Sequence, residues 1–149
     1  MQRLISISLL LGASTTFAQQ FPRHELSING FRNPSIGLEY RQNHVSVHAG
    51  YYLTAFRAGV NTSFLRAGLT YWFLPVGCKP NPSSFYTSVS YVRGFNGDYR
   101  EKNGAMGEVG FRWMVWKGLN LRIGVAALMA PGESLKVNPT PGIGYAFSW

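Results

Sequence analysis

The sequence predicts an all-β fold: an eight-stranded antiparallel up-and-down transmembrane β-barrel with a side-chain-filled polar lumen. Three observations carry this expectation. Large apolar residues alternate with small or polar ones in one segment after another, and no segment shows a helical face of comparable quality. Only 13% of the 149 residues are charged while 15% are aromatic, which is about half the charged share of an ordinary soluble domain. The 17 glycines are spread along the chain, which disfavours long helices and leaves short strands as the default. The length supports one domain. No apolar run approaches the ~18 residues of a spanning helix, and the aromatic content excludes disorder.

Residues 1–18 read as a separate unit: Arg3 supplies a positive start, residues 4–12 an apolar stretch, and Thr16-Phe17-Ala18 a small-x-small cleavage site before Gln19. This is the pattern of a secretory signal that is removed, leaving residues 19–149 as a single barrel domain. Cys78 is the only cysteine, so no internal disulfide can form and no lipid-anchor cysteine stands at the cleavage point.

The strands follow in order. Residues 25–31 and 35–41 are the shortest, and the breakers Arg32-Asn33-Pro34 separate them. Residues 35–41 and 44–55 form a hairpin if the turn is Gln42-Asn43, which opposes Leu38 to Val47, Glu39 to Ser46 and Arg41 to His44. Residues 63–74 set Leu65, Ala67, Leu69, Tyr71 and Phe73 against Arg66, Gly68, Thr70 and Trp72. After 84–95, residues 104–115 set Val109, Phe111, Trp113 and Val115 against Glu108, Gly110 and Arg112. The loop Trp116-Lys117-Gly118 then opposes Val115 to Leu119 and Arg112 to Arg122. Residues 119–130 and 141–149 complete the count, the last setting Ile143, Tyr145, Phe147 and Trp149 against Gly142, Gly144, Ala146 and Ser148. Looser connections are expected at 56–62, 75–83, 96–103 and 131–140.

A two-faced pattern needs a solvent. In a soluble sandwich or lipocalin-like barrel the apolar face would point inward and the outer face would carry abundant Lys, Glu, Asp and Asn. Here the non-apolar faces hold Gly, Ser, Ala and a sparse set of Arg and Glu, which suits a narrow, crowded lumen. Trp, Tyr and Phe stand at strand ends, as in an interfacial girdle. In hydrocarbon, alternating strands can span only as a closed sheet, because every backbone N–H and C=O needs a partner in the protein. The lumenal set is then Glu39, Arg41, His44, His48, Arg66, Glu108, Arg112 and Arg122.

The signal peptide, the even strand count and the ending Gly-Ile-Gly-Tyr-Ala-Phe-Ser-Trp resemble the small eight-stranded outer-membrane barrels of Gram-negative bacteria, of the OmpA-barrel and OmpX kind. Gln19-Gln20 and the run Gly-Leu-Thr-Tyr-Trp-Phe at 68–73 are similar to barrels of Bacteroidota. The resemblance implies an outer-membrane location with both termini periplasmic. It also implies that Ile143, Tyr145, Phe147 and Trp149 are the signal read by the barrel-assembly machinery. The tight turns then face the periplasm, and the outer connections carry Arg32, Arg57, Arg100, Lys102 and Lys136, a basic rim suited to lipopolysaccharide phosphates.

Three function classes follow. The first is a structural or interaction barrel, including an accessory subunit of a larger outer-membrane complex. The second is a surface protein that contacts lipopolysaccharide. The third is a lipid A-modifying enzyme: His44 and Ser46 with Glu39 resemble the nucleophile set of the outer-membrane lipid A deacylase. In that family the pair sits late in the chain and faces lipid near the outer leaflet, whereas His44-Val45-Ser46 is early and lumenal, so the expectation here is no catalysis. No phosphate-binding Gly-Lys-Ser/Thr loop, zinc cysteine pair or calcium loop is present, so neither cofactor nor metal is expected. Lys and Arg never exceed two together, which argues against nucleic acid.

Overall fold

The computed structural model describes residues 20–31 and 34–149; the expected export signal at 1–18 and Arg32 lie outside them. Among the described residues the elements are β1 (His24–Phe31), β2 (Ile36–Gln42), β3 (Val45–Arg57), β4 (Val60–Val76), β5 (Ser83–Gly94), β6 (Asn103–Trp116), β7 (Leu119–Met129), β8 (Lys136–Pro139) and β9 (Gly142–Ser148), with one 3-10 turn at Gly97–Tyr99. Each strand from β1 to β7 pairs antiparallel with the next, and β9 returns to β1, from Glu25 opposite Ser148 to Phe31 opposite Gly142.

Both β8 and β9 lie on the free edge of β7, and they keep one register. Leu128 faces Lys136, Val125 faces Pro139, Arg122 faces Gly142 and Leu119 faces Tyr145. Between them Thr140 N–H still donates to the Gly124 carbonyl at 2.9 Å. They are one strand interrupted where Pro141 has no N–H to give the ladder. The result is a closed, eight-stranded antiparallel β-barrel.

Several expected boundaries move. The final strand begins at Lys136, so the connection expected at 131–140 is shorter and Lys136 belongs to the sheet. The connection expected at 56–62 is a two-residue turn at 58–59, with β3 and β4 running into it. Gly59 makes this possible, because its φ of 80° lies in the left-handed region that glycine adopts without strain. The β2–β3 turn is Asn43-His44 rather than Gln42-Asn43: Arg41 faces Ser46 and Glu39 faces His48. Asn43 holds a φ of 53°, which Asn tolerates better than Gln does. The move is by two positions in the pairing, so every residue that stays within the two strands keeps its face. In the β6–β7 hairpin Arg112 does face Arg122, but Trp116 faces Leu119 and the register shifts between Met114 and Trp116. The turn is therefore two residues long, with Lys117 at φ 48°.

Burial alternates along the strands, and it is inverted relative to a soluble protein. Leu38, Val47, Leu69, Val89, Val109 and Ile123 are exposed, whereas Glu25, Glu39, Arg41, Arg66, Glu108 and Arg112 are buried. The interior is not polar throughout. Toward the 95–102 connection it is an apolar cluster of Tyr52, Phe64, Val92, Tyr99, Met106, Ala126 and Leu128. Tyr99 closes this upper end against Phe64, ring centroids 5.2 Å apart. Phe21 closes the lower end, packed with Trp72 and Tyr86.

Glycines make room for the ring that spans the middle layer. A Cβ on Gly110 would lie 2.6 Å from both the Tyr86 hydroxyl and the Ile123 carbonyl, and one on Gly124 would lie 2.7 Å from the Val109 carbonyl. Because the backbone itself blocks these positions, Gly110→Ala is expected to destabilise the barrel by about 1–3 kcal/mol through overpacking. Urea unfolding followed by tryptophan fluorescence measures this.

Candidate functional site

The strands bring seven charged side chains into one layer between Phe21 and the apolar cluster. At its centre stands the Trp72 ring, fully buried. The guanidinium carbons of Arg112, Arg122 and Arg41 lie 4.3, 5.1 and 5.5 Å from its centroid. Arg112 and Arg122 are direct cross-strand partners, a like-charge arrangement that is unfavourable by itself. The indole face between the guanidinium groups offsets part of that repulsion through cation–π attraction.

Carboxylates supply the rest. Glu25 Oε1 accepts from Arg112 Nη1 at 2.6 Å and from the Ser27 hydroxyl at 3.0 Å, and Glu25 Oε2 accepts from Arg41 Nη2 at 2.8 Å. Asn81, from the 77–82 connection, reaches into the barrel, donates to Glu25 and accepts from Arg41 and Arg112 at 3.0 and 3.2 Å. Glu39 Oε2 is 2.7 Å from Arg122 Nη1 and also accepts from Asn29. Glu39 Oε1 accepts from Ser46 at 2.5 Å, and the Ser46 oxygen accepts from Trp72 Nε1 at 2.8 Å. Glu108 accepts from Arg66 at 2.8 Å, Tyr86 at 2.7 Å and Thr140 at 2.8 Å.

Of the eight residues expected to share the interior, seven lie in this layer. The pairs Arg122–Glu39 and Arg66–Glu108 join members of the expected set. Arg41 and Arg112 instead converge on Glu25, which the sequence reasoning passed over. Its alternation signal was present: Glu25, Ser27 and Asn29 face one way while Leu26 and Ile28 face the other. Asn81 had no comparable signal, since nothing local shows that a loop residue folds into a barrel. His48 binds the hydroxyls of Thr70 and Ser90 at 3.0 and 2.9 Å. His44 is the departure. It occupies the β2–β3 turn, is exposed, bonds the Trp72 carbonyl at 2.9 Å and stands perpendicular to the Phe21 ring, centroids 5.0 Å apart. The turn shift removes it from the face that Ser46 shares with Glu39.

No family model matches the chain, and no curated protein or solved structure matches it. The Ser46 oxygen is held between a carboxylate and an indole, and the imidazoles of His44 and His48 are bonded elsewhere. Among the described residues no group of His, Cys, Asp and Glu side chains is placed to hold a metal ion.

Ile143, Tyr145 and Phe147 project outward from β9, with Trp149 exposed just beyond it. Trp149 stacks on His24, which bonds the Tyr40 hydroxyl at 2.8 Å. Of the expected basic rim, Arg57 ends β3 opposite Val60, and Arg100 and Lys102 lie in the 95–102 connection. Lys102 pairs with Glu133 at 2.5 Å in a partly exposed position. Lys136 opens β8, half-buried. Cys78 is free and exposed.

Removing Glu25 leaves two fully buried guanidinium groups facing one another. Glu25→Gln is expected to destabilise the barrel by about 3–5 kcal/mol, while Glu133→Gln, which breaks a partly exposed pair, should change stability by less than about 1 kcal/mol. Urea midpoints of the two variants, measured side by side, check the contrast.

Proposed function

We propose that the chain is an integral outer-membrane β-barrel with a structural or interaction role, its wall in contact with lipid and its interior sealed by side chains. The observation that carries this reading is the inverted burial of the closed sheet. A barrel exposing Val89, Ile123, Val109, Leu69, Val47 and Leu38 on its outside while burying Glu25, Glu39, Glu108, Arg41 and Arg112 places each group where hydrocarbon outside and hydrogen-bond partners inside satisfy it. Aromatic side chains support the same reading. Tyr40, Tyr71, Trp116 and Trp149 are exposed near the lower rim, and Phe31, Tyr51, Tyr91 and Phe95 near the upper one. Such rings match two interfacial girdles.

With the turns at Asn43-His44 and Lys117-Gly118 in the periplasm, the 95–102 connection faces outside. Arg100, Lys102 and Arg93 then sit where lipopolysaccharide phosphates run, although Asp98, Glu101 and Glu133 share that rim. A subunit role beside a larger complex needs no feature beyond the apolar wall. The enzyme reading is disfavoured by the placement of His44 outside the Ser46 bonding set.

The test is on purified protein in detergent. It should be heat-modifiable on a denaturing gel, strand-rich by circular dichroism and without steady ion conductance in planar bilayers, because Trp72 and its arginines fill the bore. A detergent-independent soluble monomer would overturn the reading. Changing Phe147 and Trp149 to Ser should lower outer-membrane levels at least several-fold while leaving refolding in detergent possible, as immunoblots of membrane fractions would show. Overproduction of the wild-type chain should leave lipid A unaltered by mass spectrometry. Loss of an acyl group that depends on Ser46 would establish the enzyme instead.

A further inference from the structure

We infer that the lower rim carries a binding site for one anionic phospholipid, its phosphate held by Lys79 and Lys117 and its chains laid up the outer wall. The site rests on the outer-membrane reading and adds a ligand to it.

The head-group end is a groove of about 630 Å³ between the 77–82 connection, the end of the β6–β7 hairpin and the end of β9. Its floor is mostly apolar, from Pro80, Val115, Trp116, Tyr145 and Phe147, yet Lys79 and Lys117 also border it and, among the described residues, no acidic side chain does. The fold places both ammonium groups. Lys79 Nζ donates to the Met114 carbonyl and, at 2.8 Å, to the Val115 carbonyl, where the register of the β6–β7 ladder shifts between Met114 and Trp116. Lys117 follows in the turn at φ 48°, with its Nζ 4.8 Å from the centre of the Trp116 ring. Carbonyl oxygens and an indole face orient a cation without removing its charge. Two cations beside an apolar floor are complementary to a molecule with an anionic head and hydrocarbon chains, whereas free phosphate would leave the floor uncovered.

The wall above continues the groove. The next depression shares Lys79 with it and adds Phe111 and Trp113, and the one beyond shares those two rings and adds Leu121, Ile123 and Ile143. From Trp116 to Phe111 the path along β6 is about 17 Å, or about 13 Å of depth in a strand tilted by about 40°. That is close to the ~15 Å of hydrocarbon in one leaflet, so a chain whose phosphate sits at the lysines lies against these rings. With the tight turns in the periplasm, this leaflet is the one opposite lipopolysaccharide, and the anion is a glycerophospholipid phosphate.

The probe is phosphatidylglycerol with brominated chains, diluted into phosphatidylcholine vesicles that hold the refolded full chain, because bromine quenches the indoles of Trp113 and Trp116 on contact. It should quench at a several-fold lower mole fraction than brominated phosphatidylcholine, since each lysine beside an anionic head favours it about fivefold. Changing Trp113 and Trp116 to Phe should abolish this difference. Lys79→Gln with Lys117→Gln should equalise the two lipids, while Lys102→Gln at the opposite rim should leave the preference intact. Should the double variant fail to refold, Lys117→Gln alone should cut the preference about fivefold. Equal quenching of the wild type by both lipids, or a preference that the lysine changes do not reduce, would overturn the site. Flotation separates the two possible failures: a chain that floats with the vesicles and shows no preference refutes the site alone, whereas one that stays in the aqueous phase refutes the outer-membrane reading and the site with it.

Discussion

Charge buried inside a closed sheet is tolerable only where each group meets an opposite one within hydrogen-bond reach, and the layer around Trp72 is the part of this barrel that meets that condition. Three guanidinium groups surround one indole, and Glu25 of β1 and Glu39 of β2 clamp them. These contacts join β1, β2, β4, β6 and β7 across the bore. Glu25–Arg112 and Glu39–Arg122 tie together strands that share no ladder hydrogen bonds, so closure of the sheet and neutralisation of its interior depend on each other.

The two halves of the interior solve the filling problem differently. The lower half uses long charged side chains with glycines opposite them, so that Tyr86 crosses Gly110 and Gly124 to reach Glu108. The upper half uses Phe64, Met106 and Leu128 beneath Tyr99, apolar side chains that need no ion pairing. A bore closed at both ends and packed in this way is a plug rather than a path, and rigidity is what such packing supplies. The wall is uneven as well: β4 runs for 17 residues and β6 for 14, whereas β2 has 7. On the low side, above the β1–β2 hairpin, Asn138 of β8 reaches across to the Tyr52 and Thr54 hydroxyls of β3. A side-chain bridge there takes the place of the missing ladder.

Alternation alone determined which face each residue occupies, because the side-chain period of a strand is two and does not depend on what lies alongside. Arg66, Glu108, Arg112 and Arg122 were assignable to one face from their neighbours in sequence, and so was the outward set of the last strand. The same parity places Glu25, although β1 is short and its apolar alternation rests on Leu26 and Ile28 alone.

Tertiary structure decided everything that depends on distance across the barrel. Register moved by two positions at Asn43-His44, which left the faces intact but took His44 out of the interior, because a turn residue belongs to neither strand. The extra length of the final strand was hidden by Pro139 and Pro141, which read as breakers locally yet are tolerated where β7 alone supplies the ladder for β8. Glu25 and Arg41 meet as direct partners in the β1–β2 hairpin, but which carboxylate meets Arg112 and Arg122 is a property of the closed sheet. Glu25 and Arg112 are 87 residues apart, and their 2.6 Å contact exists only because β1, β9, β7 and β6 stand side by side in a ring, an arrangement that no local pattern encodes.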